Sequence, residues 1–203
     1  MEKKLAQLFT LLFQPLLMPI YGFLLLLYSD YLAMYNLFGK YFLFGVTGLL
    51  STIIPVLGIF ILYKVGVVQS IQTAKREERF YPYLITLISL GLLVYFYLIF
   101  KIPPFVSYIA IGLFFSVLII MLVNLWWKIS AHMGGVGGLL GSVLALTYYF
   151  QDNTMWLYMI LFVVSGIVAF ARLKLEAHTP SQLIAGFFVG LVGLGVAPLL
   201  VLL

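Results

Sequence analysis

Two histidines, His132 and His178, stand at the edges of long apolar stretches in a chain that is only 8% charged. Each sits among cations. "ARLKLEAHTPSQ" (171–182) holds Arg172, Lys174, Glu176 and His178, "KISAHMGG" (128–135) holds Lys128 and His132, and "KREERFYP" (75–82) holds Lys75, Arg76 and Arg79. Phosphate oxygens call for several cationic donors together with backbone N–H groups at a helix start. The three segments offer both, since a glycine-rich run, "GGVGGLLG", follows His132. Two imidazoles add nucleophilic chemistry: one can attack phosphorus while the other protonates the leaving oxygen. A metal centre fits less well. No His-x-x-x-His or Glu-x-x-His pair shares a helix face, and the chain has no cysteine, so neither a metal nor a cofactor is expected.

The elements that must position these residues are membrane helices. Of the 203 residues 65% are hydrophobic, too many for a soluble domain to cover with polar surface. Apolar runs of about 20 residues are long enough to span. Seven such runs lie near 5–29, 41–63, 83–100, 104–127, 134–150, 154–171 and 182–203. Their continuity, without alternation, argues for helices and against a β-barrel. The expectation is an all-α, polytopic transmembrane bundle of about seven spans, forming one integral membrane domain over residues 1–203. The first run has no A-x-A-like cleavage site and is too long for a signal-peptide core, but Pro15 and Pro19 should kink or break it. Gly134/Gly138, Gly137/Gly141 and Gly186/Gly190 have the spacing of close helix contacts, with approach of the backbone to a ligand as the alternative use. The net charge of +5 reports on orientation and anionic ligands, and no nucleic-acid-binding pattern is present.

In order and spacing, the three polar segments resemble the motifs of the phosphatidic acid phosphatase type 2 superfamily of membrane phosphatases: Lys-x6-Arg-Pro, Pro-Ser-Gly-His and Ser-Arg-x5-His-x3-Asp. Arg172, five residues, His178, three residues and Gln182 follow the third. Ile129-Ser130-Ala131-His132 keeps Ser and His of the second. The first is loose: Arg79 stands three residues before Pro82, Gln72 stands where the Lys would be, and Lys75 and Arg76 are its available substitutes. The likeness covers residues of about 70–190. It implies a six-helix core, to which this chain adds one N-terminal span. It also implies a metal-independent hydrolase working through a phosphohistidine, with His178 as nucleophile, His132 as acid, and Arg172, Arg79, Lys75 and Ser130 holding the phosphate.

Four positions depart from the pattern: Ala171 for Ser, Ala131 for Gly, Ile129 for Pro and Gln182 for Asp. The last removes the charge that would orient and stabilise the nucleophilic imidazole. Loss of the comparable carboxylate in a serine-protease triad costs about 10⁴ in rate. Gln182 Oε1 can still accept an imidazole N–H. Equally, Thr179-Pro180-Ser181-Gln182 fits a helix capping box, which would give Gln182 a purely structural duty.

The function expected from these residues is hydrolysis of a lipid phosphomonoester or diphosphate, with membrane lipids as partners and a substrate that enters sideways from the bilayer. The alternative is a lipid-phosphate binder or carrier that kept the cradle and lost the chemistry. A small secondary transporter is disfavoured, because no acidic residue sits mid-span. The sequence leaves the oligomeric state and the lipid open. The expected location is multi-pass in a bacterial inner membrane. With seven spans, nine of the eleven Lys and Arg fall on the side of the histidines and only Lys40 and Lys101 on the other, which places the site in the cytoplasm. The resemblance pulls the other way, towards the non-cytoplasmic face. For a cytoplasmic site, a membrane-impermeant thiol reagent applied to intact cells should label Asp152→Cys and spare Glu77→Cys. The reverse labelling would put the site outside.

Overall fold

A computed structural model describes residues 2–73, 75–152 and 154–198, and among those residues helices predominate and no strand occurs. Among the described residues nine α-helices follow one another: α1 (Glu2–Leu12), α2 (Met18–Tyr28), α3 (Leu37–Gly48), α4 (Ile54–Lys64), α5 (Phe80–Ile99), α6 (Pro104–Asn124), α7 (Ala131–Phe150), α8 (Met155–Lys174) and α9 (Pro180–Val196). They make six segments long and apolar enough to cross a membrane, plus the shorter α9. The protein is an all-α transmembrane bundle.

The expected kink in the first segment is present. Gln14, before Pro15, is extended (φ −64°, ψ 137°), and a 3-10 turn over Pro15–Leu17 joins α1 to α2. The ring of a proline disfavours helical geometry in the residue before it, which is why the break falls there. Pro55 has a milder effect. It follows a π-helical stretch, Leu49–Ile53, that joins α3 to α4 without a break, so the second span runs over Leu37–Lys64. The third span starts at Glu77, earlier than the sequence pattern suggested, because a 3-10 turn carries Arg79 into α5. The last expected span, 182–203, is helical over Pro180–Val196, and residues 199–203 lie outside the described residues.

Large apolar side chains such as Ile88, Leu92, Tyr95 and Phe162 face outward, as lipid contact requires, while α7 is the most enclosed helix. Its interior position follows from its glycines. An added Cβ would stand 2.1 Å from the Phe187 carbonyl oxygen at Gly137, 2.3 Å from that of Leu191 at Gly141, and 1.9 Å from that of Gly134 at Gly190. The backbones of α7 and α9 therefore touch, as small-residue spacing in membrane helices allows. At the upper end of this seam Gly186 lies against the Ser130 carbonyl, 2.3 Å from its would-be Cβ, and the Ser130 N–H donates to the Gln182 carbonyl at 3.2 Å. The segments preceding α7 and α9 are thereby pinned side by side. On the far flank α1 packs along α8, and Lys174 Nζ meets Glu2 Oε2 at 2.6 Å, so the chain's N-terminal end and the polar segments share one end of the bundle.

Gly190→Ala should destabilise the protein by about 2 kcal/mol, since the new methyl has only backbone to meet. Gly166→Ala, with nothing within 4 Å of the added atom, should leave the melting temperature in detergent unchanged. Equal melting temperatures for the two variants would refute the backbone-contact account of the seam.

Candidate phosphate site

Residues from five elements converge at that end of the bundle. Arg79, on the turn that opens α5, is buried; its Nε donates to the Thr73 carbonyl at 2.9 Å and its Nη1 to the Ile129 carbonyl at 3.5 Å. Arg76 Nη1 donates to the Leu125 carbonyl and Asn124 Nδ2 to the Arg76 carbonyl, at 2.9 and 3.0 Å. These bonds stitch the loop before α5 to the segment between α6 and α7. Ser130 caps α7, its Oγ accepting from the Met133 N–H at 3.4 Å. His132 therefore sits in the first turn of α7, not in the loop ahead of it as the sequence pattern suggested. Arg172 comes from the last turn of α8.

His178, buried just ahead of α9, has its Nδ1 3.1 Å from the Lys128 carbonyl oxygen and 3.1 Å from Gln182 Oε1. A carbonyl can only accept, so the proton belongs on Nδ1 and the lone pair on Nε2. Gln182 Oε1 also accepts from the Thr179 N–H at 3.2 Å, completing the capping box. The two roles that compete in the sequence thus coexist in one oxygen, which has two lone pairs for the purpose.

Arg79, Arg172, Lys128, His132 and His178 all line one cavity of about 1430 Å³. It reaches from this end of the bundle down to Asp30, Tyr31 and Asp152 at the other, between apolar side chains of α2, α6 and α7 such as Leu26, Leu113 and Leu139. The field at the basic end is strong. Burial, then Arg79 and Arg172, pushes the Lys128 ammonium below its ordinary value. Burial, then the same two guanidiniums, pushes the His178 imidazole down to about 4, against the upward pull of Gln182 and the Lys128 carbonyl. Among the described residues the ion pairs are Arg76–Glu77 and Lys174–Glu2, and no carboxylate lies in direct contact with Arg79, Lys128 or Arg172, although Glu77 attracts Lys128 from farther off. Arg79 is buried and Lys128 and Arg172 are half-buried, and like charges crowded where water is scarce are costly, so an anion in their midst relieves that cost.

Three of the sequence candidates stand apart from the cavity wall: Gln182, which reaches it only through its contact with His178, Lys75 and Ser130. Lys75 is exposed, its Nζ donating to Gln69 Oε1 at 2.7 Å, and Ser130 Oγ is engaged as the helix cap. Conversely, two contributors lie outside the residues expected to hold the phosphate or do the chemistry, although Lys128 is among the cations that the sequence places beside the histidines. One is Lys128, through both its ammonium and its carbonyl; its place two residues ahead of the helix-capping Ser130 was the available signal. The other is α1, whose Thr10 reaches the cavity wall and whose Thr10 carbonyl approaches the His132 ring. No residue type or spacing in the sequence pairs α1 with His132. No group of three or more acidic, histidine or cysteine residues able to hold a metal occurs among the described residues. No protein-family model, curated protein or solved structure matches the chain.

The chain's two histidines make the protonation state directly measurable. In His132→Asn protein labelled on histidine, the remaining His178 ring should titrate by NMR near pH 4 and not near its ordinary 6.5. Arg172→Met should move that midpoint upward by removing a like charge. The unfolded chain, with the ordinary value, binds more protons between the two values. His178 therefore withdraws stability as pH falls from 6.5 towards 4 and withdraws none above that window. A His178 midpoint at 6.5 would mean that the ring is solvated and clear of the guanidiniums.

Proposed function

We propose that this protein is a membrane-embedded phosphatase acting on lipid phosphates through a phosphohistidine. The observation that carries the reading is the setting of His178. Its Nδ1–H is held by two carbonyl oxygens, its Nε2 lone pair is available, and Arg79, Lys128 and Arg172 line the same cavity with no carboxylate in direct contact with them among the described residues. A nucleophilic imidazole has to be neutral at working pH, and a value near 4 keeps it so.

In the proposed reaction Nε2 of His178 attacks phosphorus and the bond from phosphorus to the lipid oxygen breaks. The departing oxygen takes a proton from His132. Water then attacks the phosphohistidine, the P–N bond breaks, inorganic phosphate leaves, and the proton from water returns to His132. During the intermediate the Nδ1–H carries positive charge, which the Gln182 and Lys128 oxygens stabilise as acceptors. Two neutral acceptors in place of one carboxylate stabilise that charge less, which supports a slow enzyme. The apolar length of the cavity beneath the basic end suits a hydrocarbon tail attached to the phosphate.

The second reading, a lipid-phosphate binder that has lost the chemistry, is favoured by the uncharged Gln182. Vanadate-sensitive release of phosphate from a lipid phosphate by purified protein separates the two. His178→Ala should abolish that release while leaving detergent behaviour intact; undiminished activity in this variant would sink the mechanism. Gln182→Asp should raise turnover by about tenfold or more if the acceptor limits the rate. An unchanged rate would assign Gln182 to the helix cap alone.

A further inference from the structure

One face of α5, with the turn that opens it, runs down the cavity wall. Arg79, Tyr83, Thr86, Leu90, Leu93 and Tyr97 all line the cavity, at the three- and four-residue steps of a single helical face. The face grades from a guanidinium through hydroxyls to leucines. Two of its three hydroxyls are engaged within the protein. Thr86 Oγ1 donates to the Pro82 carbonyl at 2.8 Å, and the Tyr97 hydroxyl pairs with Thr47 Oγ1. The Tyr83 hydroxyl has no protein acceptor within hydrogen-bond distance among the described residues. Nor is it sealed away. The buried side-chain polar atoms without a partner are Thr10 Oγ1, Asn124 Oδ1, His132 Nε2, Thr154 Oγ1 and Arg172 Nε, and Tyr83 Oη is not one of them. Tyr83 is half-buried, and its hydroxyl opens on the cavity that it lines.

The neighbour of that hydroxyl decides what it can do. Side chains on a helix lean towards its N-terminus, which carries the Tyr83 ring back over the turn that holds Arg79. The Arg79 guanidinium acts on the phenol there, both as a hydrogen-bonding group and as a charge. Arg79 itself is fixed, with Nε on the Thr73 carbonyl and Nη1 on the Ile129 carbonyl. A guanidinium has donors only, so the phenol oxygen is the acceptor of the pair and its O–H must find an acceptor elsewhere. Accepting from a cation also polarises the phenol and makes its O–H the better donor. A polarised donor beside a fixed guanidinium suits an anionic oxygen.

Resting on the phosphatase reading, we propose that Tyr83 is a further phosphate-binding residue of this site, its O–H donating to a non-bridging phosphoryl oxygen beside Arg79. The phenol keeps its proton throughout. The hydrogen bond acts on the oxygens that carry the charge of the transition state while His178 Nε2 closes on phosphorus. Further along the same face Thr86 has no hydroxyl to offer and Leu90 and Leu93 follow. Tyr83 therefore marks the depth at which the phosphoryl group stops and the hydrocarbon begins.

The test is Tyr83→Phe in the purified full-length protein in detergent, with phosphatidic acid as substrate and orthophosphate as the bare anion. Losing one hydrogen bond to a charged group should lower kcat/KM by about tenfold to a hundredfold. The dissociation constant of orthophosphate, read by calorimetry, should rise by about tenfold, while the melting temperature stays where it was because the ring remains. Tyr97→Phe removes a hydroxyl from the same face that is already engaged by Thr47, and should leave orthophosphate affinity unchanged. Unaltered orthophosphate affinity in Tyr83→Phe, or an equal loss in Tyr97→Phe, overturns the proposal. If the wild type releases no phosphate from the lipid, the phosphatase reading fails by itself. Orthophosphate binding that Tyr83→Phe weakens would still uphold Tyr83 as a phosphate ligand, and a wild type that binds no orthophosphate would overturn it.

Discussion

The contact on which the rest of the structure depends is the backbone-to-backbone seam between α7 and α9. Helices in a bilayer gain nothing from hiding apolar surface from each other, because lipid is as apolar as leucine, so close van der Waals approach has to hold them. Gly134, Gly137, Gly141, Gly186 and Gly190 remove the side chains that would keep the two axes apart. The seam extends past the helices themselves, to the Ser130–Gln182 backbone bond. His132 starts one helix and His178 precedes the other. The seam therefore decides that two residues 46 positions apart in the chain face one cavity.

Once the seam is in place, the electrostatics follow from what it crowds together. Arg79 is tied by its own hydrogen bonds to carbonyls of two loops, so it cannot swing out to solvent without breaking them. Lys128 and Arg172 complete a basic end that is self-repelling as it stands. That repulsion is a standing attraction for an anion, and burial first, then the Arg79 and Arg172 guanidiniums, keep His178 neutral. Burial and one arrangement of charge thus serve both the binding and the nucleophile that the proposed function requires. The cost falls on stability, as it does at many sites where buried groups are kept unpaired for a ligand.

The cavity ties this end to the membrane interior. Its walls change from guanidiniums and imidazoles to leucines and phenylalanines along its middle, before Asp30, Tyr31 and Asp152 make the far end polar again. The break at Pro15 shapes the entrance: α1 departs from the line of α2 and lies along α8, which brings Thr10 over the basic end. The N-terminal segment is in this way part of the site's wall as well as a piece of the bundle's lipid-facing surface.

How much of this the sequence carries differs from element to element. The membrane bundle is legible from hydropathy alone, since a run of twenty apolar residues has few alternatives in a lipid solvent. The break near Pro15, the capping box at Thr179–Gln182 and the glycine spacing of α7 and α9 are legible as well, because each depends on local stereochemistry within a few residues. Arg79, Arg172, His132 and His178 could be picked out by charge and spacing in a chain so poor in both. What spacing could not decide is which groups face the cavity once helices pack. Lys75 and Arg79 lie four residues apart, yet one points to solvent and the other is buried between two loops. Gln182 offered two roles in the sequence, and only the packed geometry puts both partners on the same oxygen. The Lys128 carbonyl, a backbone atom with no residue-type signature, and Thr10, 122 residues from the His132 it stands beside, became visible only in three dimensions. Local stereochemistry is written in neighbouring residues, whereas contact between distant segments depends on how close two backbones can come, and that is a property of the whole packed bundle.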